Sequence, residues 1–297
     1  MSRSFPPDVI VLDTDSLLHA RISRGKKNPR IVQAKSYRLP ADTFATSLVT
    51  PELVNDVALT ETLRRVKNET GRWEKASILL PDSWFRINLL ELPSFNERAA
   101  DANEVVRWSL KRTLPIDPAD LRVSFAVLSR SGTSAKLLVV SAIEKTLAKM
   151  ERVFSDAGIE TVLIEPVGLN LWNAISVRET GVPNDRLFLY VRDREFTTAV
   201  FRGEEPVFIR SRNLSAERSL QQEIRLSASY LRDALRTETF QQCYIAGNSV
   251  AEAAAALSSE FSSPVATIAL NDFADEVPSH LSGYDAELTA CTGVFTG

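Results

Sequence analysis

The chain has 297 residues, of which 44% are hydrophobic and 25% charged, and its formal net charge is −3 at pH 7. This is the composition of an ordinary globular protein long enough for two domains, and the lack of a basic excess disfavours nucleic-acid binding as the main role. With only two histidines and two cysteines, the chain is a poor candidate for histidine-based catalysis, a zinc site or a disulfide framework.

The sequence contains no recognisable targeting or membrane-spanning segment. Its first apolar run, Val9–Leu12, is too short for the hydrophobic core of a signal peptide. No stretch approaches the roughly 20 consecutive apolar residues that a transmembrane helix needs. We therefore expect a cytoplasmic protein that reaches a membrane only through a partner.

The N-terminal part of the chain predicts an antiparallel sheet. The apolar runs Val9–Leu12 and Leu17–Ile22 flank the acidic turn Asp13–Ser16, which is typical of a β-hairpin. Val32–Leu39 continues the pattern and predicts a third strand at the edge of this sheet.

The next stretch predicts a short helix, a buried strand and then a compact module. Apolar residues at helical spacing within Leu59–Val66 indicate the helix, and Lys75–Leu80 is the buried strand. The module consists of a strand over Phe85–Leu92, a helix over Asn96–Thr113 with Asn96 as its N-cap, and a strand over Leu121–Val127. We interpret it as a strand–helix–strand unit.

Strands and helices then alternate towards the middle of the chain. Ala135–Ala142 and Thr161–Glu165 are apolar strands, and a helix over Glu144–Ala157 lies between them. Gly158 fits the position after that helix, where a positive φ is needed. Val167–Val177 predicts another short helix.

The second half repeats the pattern of the first. Its beginning is marked by Thr180–Arg186, a polar stretch with glycine, proline and asparagine. The elements predicted after it are strands at Leu187–Val191, Phe196–Phe201, Val207–Arg212, Gln242–Ala246 and Val265–Ala269, and helices at Ser215–Arg236, Val250–Phe261 and Asp285–Phe295. Because each half begins with three short strands followed by a helix and a further strand, we expect a duplicated architecture with a cleft between the halves.

Several short motifs follow one another in a characteristic order along the chain. They are Leu80–Ser83 (LPDS), Leu90–Pro93 (LELP), Leu114–Ile116 (LPI), Glu165–Pro166 (EP) and Ile245–Gly247 (IAG). Their order and spacing resemble those of PilM-type proteins of type IV pilus assembly, which belong to the actin-like ATPase superfamily and are related to the cell-division protein FtsA.

The resemblance implies an α/β fold of the actin-like, ribonuclease H-like duplicated kind. A first actin-like domain would cover residues 1–183, and a second would cover residues 184–297. The first domain would carry an inserted FtsA-like 1C subdomain of the SHS2 type at about residues 84–158.

The chain departs from the family where phosphate would bind. The family's Asp-Ile-Gly-Ser turn corresponds to Asp13–Ser16, in which Asp15 replaces the glycine that lets the backbone approach phosphate. The second phosphate turn aligns with Val191–Asp193, which lacks the glycine, and only Gly247 with Asn248 retains part of the adenosine loop. A carboxylate facing a phosphate costs roughly 4 kcal/mol per close pair at intermediate dielectric.

We therefore expect a vestigial nucleotide cleft that binds no ATP cofactor productively. Its residues would be Asp13, Asp15, Ser16, Asp193, Gly247 and Asn248. The three acids among them could hold a magnesium ion, but acids in tight turns also bond to nearby backbone N–H groups. We favour the second interpretation and predict no catalytic residue and no metal site.

The resemblance also implies a partner. In PilM-type proteins a groove between the first domain and the inserted subdomain accepts the short cytoplasmic tail of the inner-membrane protein PilN. Candidate groove residues here are Phe85, Ile87, Leu89, Val105 and Trp108, with core packing as the alternative for Phe85 and Trp108.

The prediction is therefore a non-enzymatic cytoplasmic scaffold that binds a PilN-like tail, with other cytoplasmic components of the pilus machine as further candidate partners. Two alternatives remain. One is an active actin-like ATP-binding protein of the same machine. The other is the cytoplasmic domain of a GspL-like type II secretion protein, which would continue into a transmembrane helix that is absent before Gly297.

Overall fold

The computed structural model describes most of the chain as two sheet-containing halves and a small inserted sheet. The described ranges are residues 5–25, 28–45, 52–178, 185–192, 195–214, 219–275 and 283–295. The predicted domain boundary at residues 183 and 184 lies outside them.

The strands of the first half and of the inserted sheet were mostly predicted correctly. They are β1 (Asp8–Leu12), β2 (Ser16–Ser23), β3 (Arg30–Arg38), β4 (Phe44–Ala45), β5 (Glu52–Leu53), β6 (Lys75–Leu80), β7 (Arg86–Leu92), β8 (Leu121–Ser131), β9 (Ser134–Ile143) and β10 (Glu160–Pro166). Those of the second half are β11 (Asp185–Arg192), β12 (Glu195–Arg202), β13 (Glu205–Asn213), β14 (Gln242–Gly247) and β15 (Val265–Thr267).

The helices lie close to the predicted positions, with one exception. They are α1 (Asp56–Thr70), α2 (Ala102–Ser109), α3 (Glu144–Asp156), α4 (Val167–Arg178), α5 (Leu220–Leu235), α6 (Val250–Glu260) and α7 (Asp285–Gly293). Short 3-10 turns at Asp82–Trp84, Leu110–Arg112, Pro118–Asp120 and Leu270–Asp272 connect some of them. None of the helices in the described ranges is both long enough and apolar enough to cross a bilayer.

The exception is α2, which begins at Ala102 and not after Asn96. The Asn96 side chain accepts a hydrogen bond from the N–H of Arg98 (3.1 Å), so it stabilises a local turn and is not a helix cap. Phe95 is buried in the apolar core of the inserted sheet. The chain therefore bends at this point before the helix starts.

The two main sheets have the same arrangement. In the first, the strand order is β10-β6-β1-β2-β3, and in the second it is β13-β12-β11-β14-β15. In each sheet three strands form an antiparallel meander and two further strands pair in parallel. This repetition confirms the duplicated architecture predicted from the sequence.

Helices α4 and α7 pack in the layer between the two sheets. They share one apolar cluster with residues of both sheets, such as Val11 of β1 and Phe188 of β11. The helices approach closely because Gly293 has no side chain: a Cβ atom there would lie 1.9 Å from the carbonyl oxygen of Asn170. A shared core of this kind holds the halves together.

The inserted sheet lies between β6 and β10 in the chain. Its order is β7-β9-β8, and both neighbouring pairs are antiparallel. The unit predicted as strand–helix–strand is thus completed by β9, which separates β7 from β8. Helix α2 and the 3-10 turn that follows it cover one face of this sheet through Ala102, Val106 and Leu110. The other face is turned towards the second half, where Lys136 of β9 donates a hydrogen bond to Glu205 of β13.

Candidate functional site: a closed cleft and an open groove

The ends of several strands from both halves meet across a cleft. The carboxyl ends of β1, β6 and β11 and the start of β12 lie close together there, as the contacts of Asp13, Asp82, Arg192 and Glu195 show. In open α/β sheets this is the edge at which ligands bind. The side chains at this edge therefore decide what the cleft can hold.

Asp82 is buried on the floor of the cleft and joins the two halves. It follows β6, and its carboxylate accepts hydrogen bonds from the Gly168 N–H of α4 (2.7 Å) and from the Thr197 hydroxyl of β12 (2.6 Å). Burial raises the pKa of Asp82, although these two hydrogen bonds oppose the shift. Gly168 is required here because a Cβ atom would lie 2.2 Å from the Asp82 carboxylate.

Glu195 makes the reciprocal contact from the second half. Its carboxylate accepts a hydrogen bond from the Ser83 N–H (3.1 Å), directly after Asp82. Burial, reinforced by the charge of Asp82, raises the pKa of Glu195 to about 7. Each half therefore presents a carboxylate to a donor of the other half.

This geometry predicts a pH dependence of stability. The folded chain binds the Glu195 proton more tightly than the unfolded chain does. Protonation of Glu195 therefore stabilises the folded chain fully below the ordinary pKa of 4.5, and this stabilisation is lost as the pH rises through about 7. Glutamine at position 195 is expected to raise the melting temperature at pH 8 and to change it little at pH 5. The gain at pH 8 should be on the order of 3 kcal/mol at most.

Thermal unfolding of both proteins between pH 5 and pH 8 measures this difference. Equal pH profiles for the wild-type protein and Glu195→Gln would show that Glu195 is not held in the buried position described. The window avoids the strongly acidic range in which other carboxylates titrate.

Arg192 connects three elements at the mouth of the cleft. Its guanidinium lies 2.7 Å from the Asp13 carboxylate and donates a hydrogen bond to Glu287 of α7 (2.6 Å). Burial disfavours the charged guanidinium, but Tyr190 and the two carboxylates raise the pKa of Arg192 overall. The side chains of Arg192, Asp13 and Glu287 are 12%, 12% and 6% exposed, so the group is largely shielded from water.

The structure brings only some of the predicted cleft residues together. Asp13 joins the Arg192 ion group, whereas Asp15 is exposed and Ser16 begins β2. Asp193 lies outside the described residues. Among the described residues, no group of three or more His, Cys, Asp or Glu side chains is placed to hold a metal ion.

Gly247 has a structural reason to be glycine. It ends β14 with a φ of 99°, and a Cβ atom would lie 1.9 Å from the carbonyl oxygen of Val191. The same oxygen accepts a hydrogen bond from the Asn248 N–H (2.7 Å). Gly247 and Asn248 thus close the end of β14 against β11.

An open groove lies on the other side of the inserted sheet from α2. It has a volume of about 710 Å³ and is bounded by β8, β9, β10, α4 and the β12–β13 region. Within the part of the chain that the structure describes, β8 and β10 are both edge strands of their sheets, so each pairs with another strand on one side only. The groove therefore lies between two open sheet edges.

The groove has apolar walls and a small excess of acidic side chains. Leu138 of β9, Val162 of β10 and Val177 of α4 line it, and the last two are 41% and 52% exposed. The charged groups that line it are Arg122, Glu151, Glu165 and Glu204. Arg122 is already bonded to Glu144 and Glu151, and burial raises the pKa of Glu165.

The five predicted groove residues do not share one surface. Phe85 is buried in the core of the first half. Ile87 and Leu89 of β7 lie opposite Val140 and Leu138 of β9 and so point to the groove side of the sheet, but at its far edge. The two remaining residues are on α2, on the opposite side of the sheet: Val105 is 43% exposed and Trp108 is 53% exposed.

Two important features were not identified from the sequence. The run Thr161–Glu165 was predicted as a strand without a place in a sheet, and it is an edge strand whose exposed Val162 lines the groove. Arg192 was noted only as a departure from the family turn, although it pairs with Asp13 and Glu287. Both features depend on contacts between residues far apart in the chain, which periodicity does not report.

Comparison with solved structures identifies the fold. A chain of a PilM–PilN type IV pilus biogenesis complex matches with a TM-score of 0.78 over 96% of this chain and 96% of its own length, at 17% identity. A Bacteroides thetaiotaomicron protein with an actin-like ATPase fold and unknown function matches with a TM-score of 0.54 over 95% and 94%, at 12% identity.

The cytoplasmic domain of EpsL, an inner-membrane component of the Vibrio cholerae type II secretion system, matches with a TM-score of 0.51 over 98% and 94%, at 12% identity. No family model and no curated protein matches the sequence significantly. The predicted resemblance to PilM-type proteins is thus confirmed at the level of the fold. This chain has the actin-like ATPase fold in two domains, in a form similar to that in the PilM–PilN complex.

Proposed function

We propose that this chain is a cytoplasmic scaffold that holds the short tail of a PilN-like inner-membrane protein in the groove between β8 and β10. The observation that carries the proposal is the apolar groove bounded by two open sheet edges. The fold of this chain also resembles that of a chain in a PilM–PilN complex, and this resemblance supports the same role. The inserted sheet would then correspond to the 1C-type subdomain of the family.

An extended peptide suits this groove for physical reasons. A peptide added to an edge strand forms main-chain hydrogen bonds, and its alternate side chains enter pockets on one face. The seven residues of β10 offer an edge of roughly 20 Å at about 3.3 Å per residue. The exposed Val162 and Val177 would be covered by apolar side chains of the tail, and the acidic lining favours a tail that also carries a basic residue.

A calorimetric titration tests this role. The ligand is a synthetic peptide with the sequence that precedes the transmembrane segment of a PilN-like protein from the same organism, and the control is a scrambled peptide of the same composition. We expect a dissociation constant in the micromolar range for the native sequence. No binding at peptide concentrations of several hundred micromolar would contradict the proposal.

We also propose that the cleft does not bind ATP productively and that the chain is not an enzyme. The Arg192 guanidinium at the mouth is already engaged by Asp13 and Glu287. The Asp13 carboxylate stands where a phosphate would approach, and a carboxylate there repels an anion in a poorly solvated site. The residues present therefore do not fit a triphosphate.

Titration with ATP and magnesium distinguishes this proposal from an active ATP-binding protein. We expect no saturable binding of a fluorescent ATP analogue up to millimolar concentration. A micromolar dissociation constant, or release of phosphate above the background rate, would show that the cleft opens to accept nucleotide.

A second candidate function is the cytoplasmic part of a type II secretion membrane protein. The likeness to the EpsL domain favours it, but with a TM-score of 0.51 against 0.78 for the pilus complex. The partner peptide separates the two candidates: binding of the PilN-like tail supports the pilus role, and binding only to a secretion-system partner supports the alternative.

A further inference from the structure

We propose that the two halves of this chain are locked together by their own side chains, so that the cleft stays closed without any bound ligand. The lock consists of the Arg192–Asp13–Glu287 ion group at the mouth and the Asp82–Thr197 hydrogen bond on the floor. It goes beyond tail binding, because it concerns the relative position of the halves and not the groove.

The ion group at the mouth joins elements that no single hydrogen-bonded sheet connects. Asp13 lies in the turn after β1 of the first sheet, Arg192 ends β11 of the second sheet, and Glu287 belongs to α7. One guanidinium therefore bridges two carboxylates across the cleft. Because all three side chains are largely shielded from water, the attraction between these charges is stronger than between exposed charges, and opening the cleft would have to overcome it.

Two hydrogen bonds cross the floor of the cleft, and each half supplies the acceptor of one of them. Asp82 of the first half accepts a hydrogen bond from Thr197 of the second half (2.6 Å), and Glu195 of the second half accepts one from the Ser83 N–H of the first half (3.1 Å). Ser211 lies 2.9 Å from the Thr197 hydroxyl and fixes its position. A rotation of one half against the other would break these contacts together.

The apolar layer of α4 and α7 does not by itself explain a closed cleft. That layer packs between the two sheets, and a rotation of the two halves about it would allow the strand ends at the cleft to separate. The lock acts at those strand ends. We infer that the closed state depends on both features, and that removal of the lock alone increases the population of an open state.

Distances between nitroxide labels measured by pulsed electron paramagnetic resonance test this inference. Exposed Glu61 of α1 and Glu252 of α6 are replaced by cysteine for labelling. The native Cys243 and Cys291 are both fully buried, so the labels attach selectively. The distance distribution is recorded for the ligand-free protein and with millimolar ATP and magnesium.

Two variants of the ion group are compared with labelled protein in which the lock residues are unchanged. Arg192→Met removes the charge and keeps much of the volume. A triple variant, Asp13→Asn with Arg192→Met and Glu287→Gln, removes all three charges, so no carboxylate is left uncompensated. We expect this variant to fold even if the single variant does not. Arg225→Met, at an exposed arginine of α5, is the matched control.

We expect one narrow distance distribution for the wild-type lock and for Arg225→Met, with or without ATP. In the lock variants a second, longer population should appear, with the ratio of closed to open molecules lowered by about tenfold or more. A narrow distribution in the triple variant would overturn the inference, because the cleft would then stay closed without the ion group at its mouth. A broad distribution in the wild-type protein would overturn it as well.

Discussion

Replacing Gly247 by alanine is expected to lower the free energy of unfolding by about 3 kcal/mol or more. The added Cβ atom would lie 1.9 Å from the carbonyl oxygen of Val191 and 3.2 Å from the ring of Tyr190, and the φ of 99° is already unfavourable for alanine. Because the close contact is with backbone in a hydrogen-bonded sheet, β14 and β11 would have to separate. Urea unfolding followed by circular dichroism measures the loss.

Gly283 provides the matched control for this substitution. It has the same φ of 99°, but nothing lies within 4 Å of its added Cβ atom. Gly283→Ala should therefore cost only the backbone term of about 1 kcal/mol. Equal losses for the two variants would show that close packing against Val191 does not explain the glycine at position 247.

The substitution Leu138→Arg is expected to reduce affinity for the tail peptide by at least about fiftyfold. Leu138 is half-buried on the groove side of β9, so an arginine there would place a charge on the apolar wall that the peptide has to cover. The fold should tolerate the change because the side chain can extend into the open groove. Calorimetry with the same peptide measures the loss.

Val105→Arg is the control for the groove substitution. Val105 is exposed on α2, on the opposite side of the inserted sheet. It was one of the groove residues predicted from the sequence, so the pair of variants also tests that prediction. If Val105→Arg weakened binding as much as Leu138→Arg, the tail would contact the α2 side and the proposed groove would be wrong.

The secondary structure could be read largely from the sequence because it follows local patterns. The buried run Val9–Leu12 and the apolar stripe of α5 predict a strand and a helix directly. The start of α2 was missed because Asn96 is compatible with both a helix cap and a turn, and burial of Phe95 decides between them. Such a decision depends on tertiary contacts.

The candidate sites were less accessible to sequence reasoning. The loss of phosphate-turn glycines could be read at Asp15, but the ion group formed by Arg192 depends on elements from both halves and α7. The groove depends on which strands form sheet edges, a property of strand order and not of composition. Trp108 illustrates the limit, because an aromatic residue at helical spacing gives no indication of the side of the sheet on which its helix lies.

Hydrogen exchange with and without the tail peptide tests the central claim most directly. If the tail binds as an added strand in the groove, amide protection should increase in β8, in β10 or in both, and stay unchanged in α2 and around Arg192. Mass spectrometry of peptic fragments that cover residues 121–131 and 160–166 reports these changes. Protection confined to α2 or to the cleft, or no protection at saturating peptide, would contradict the proposed binding site.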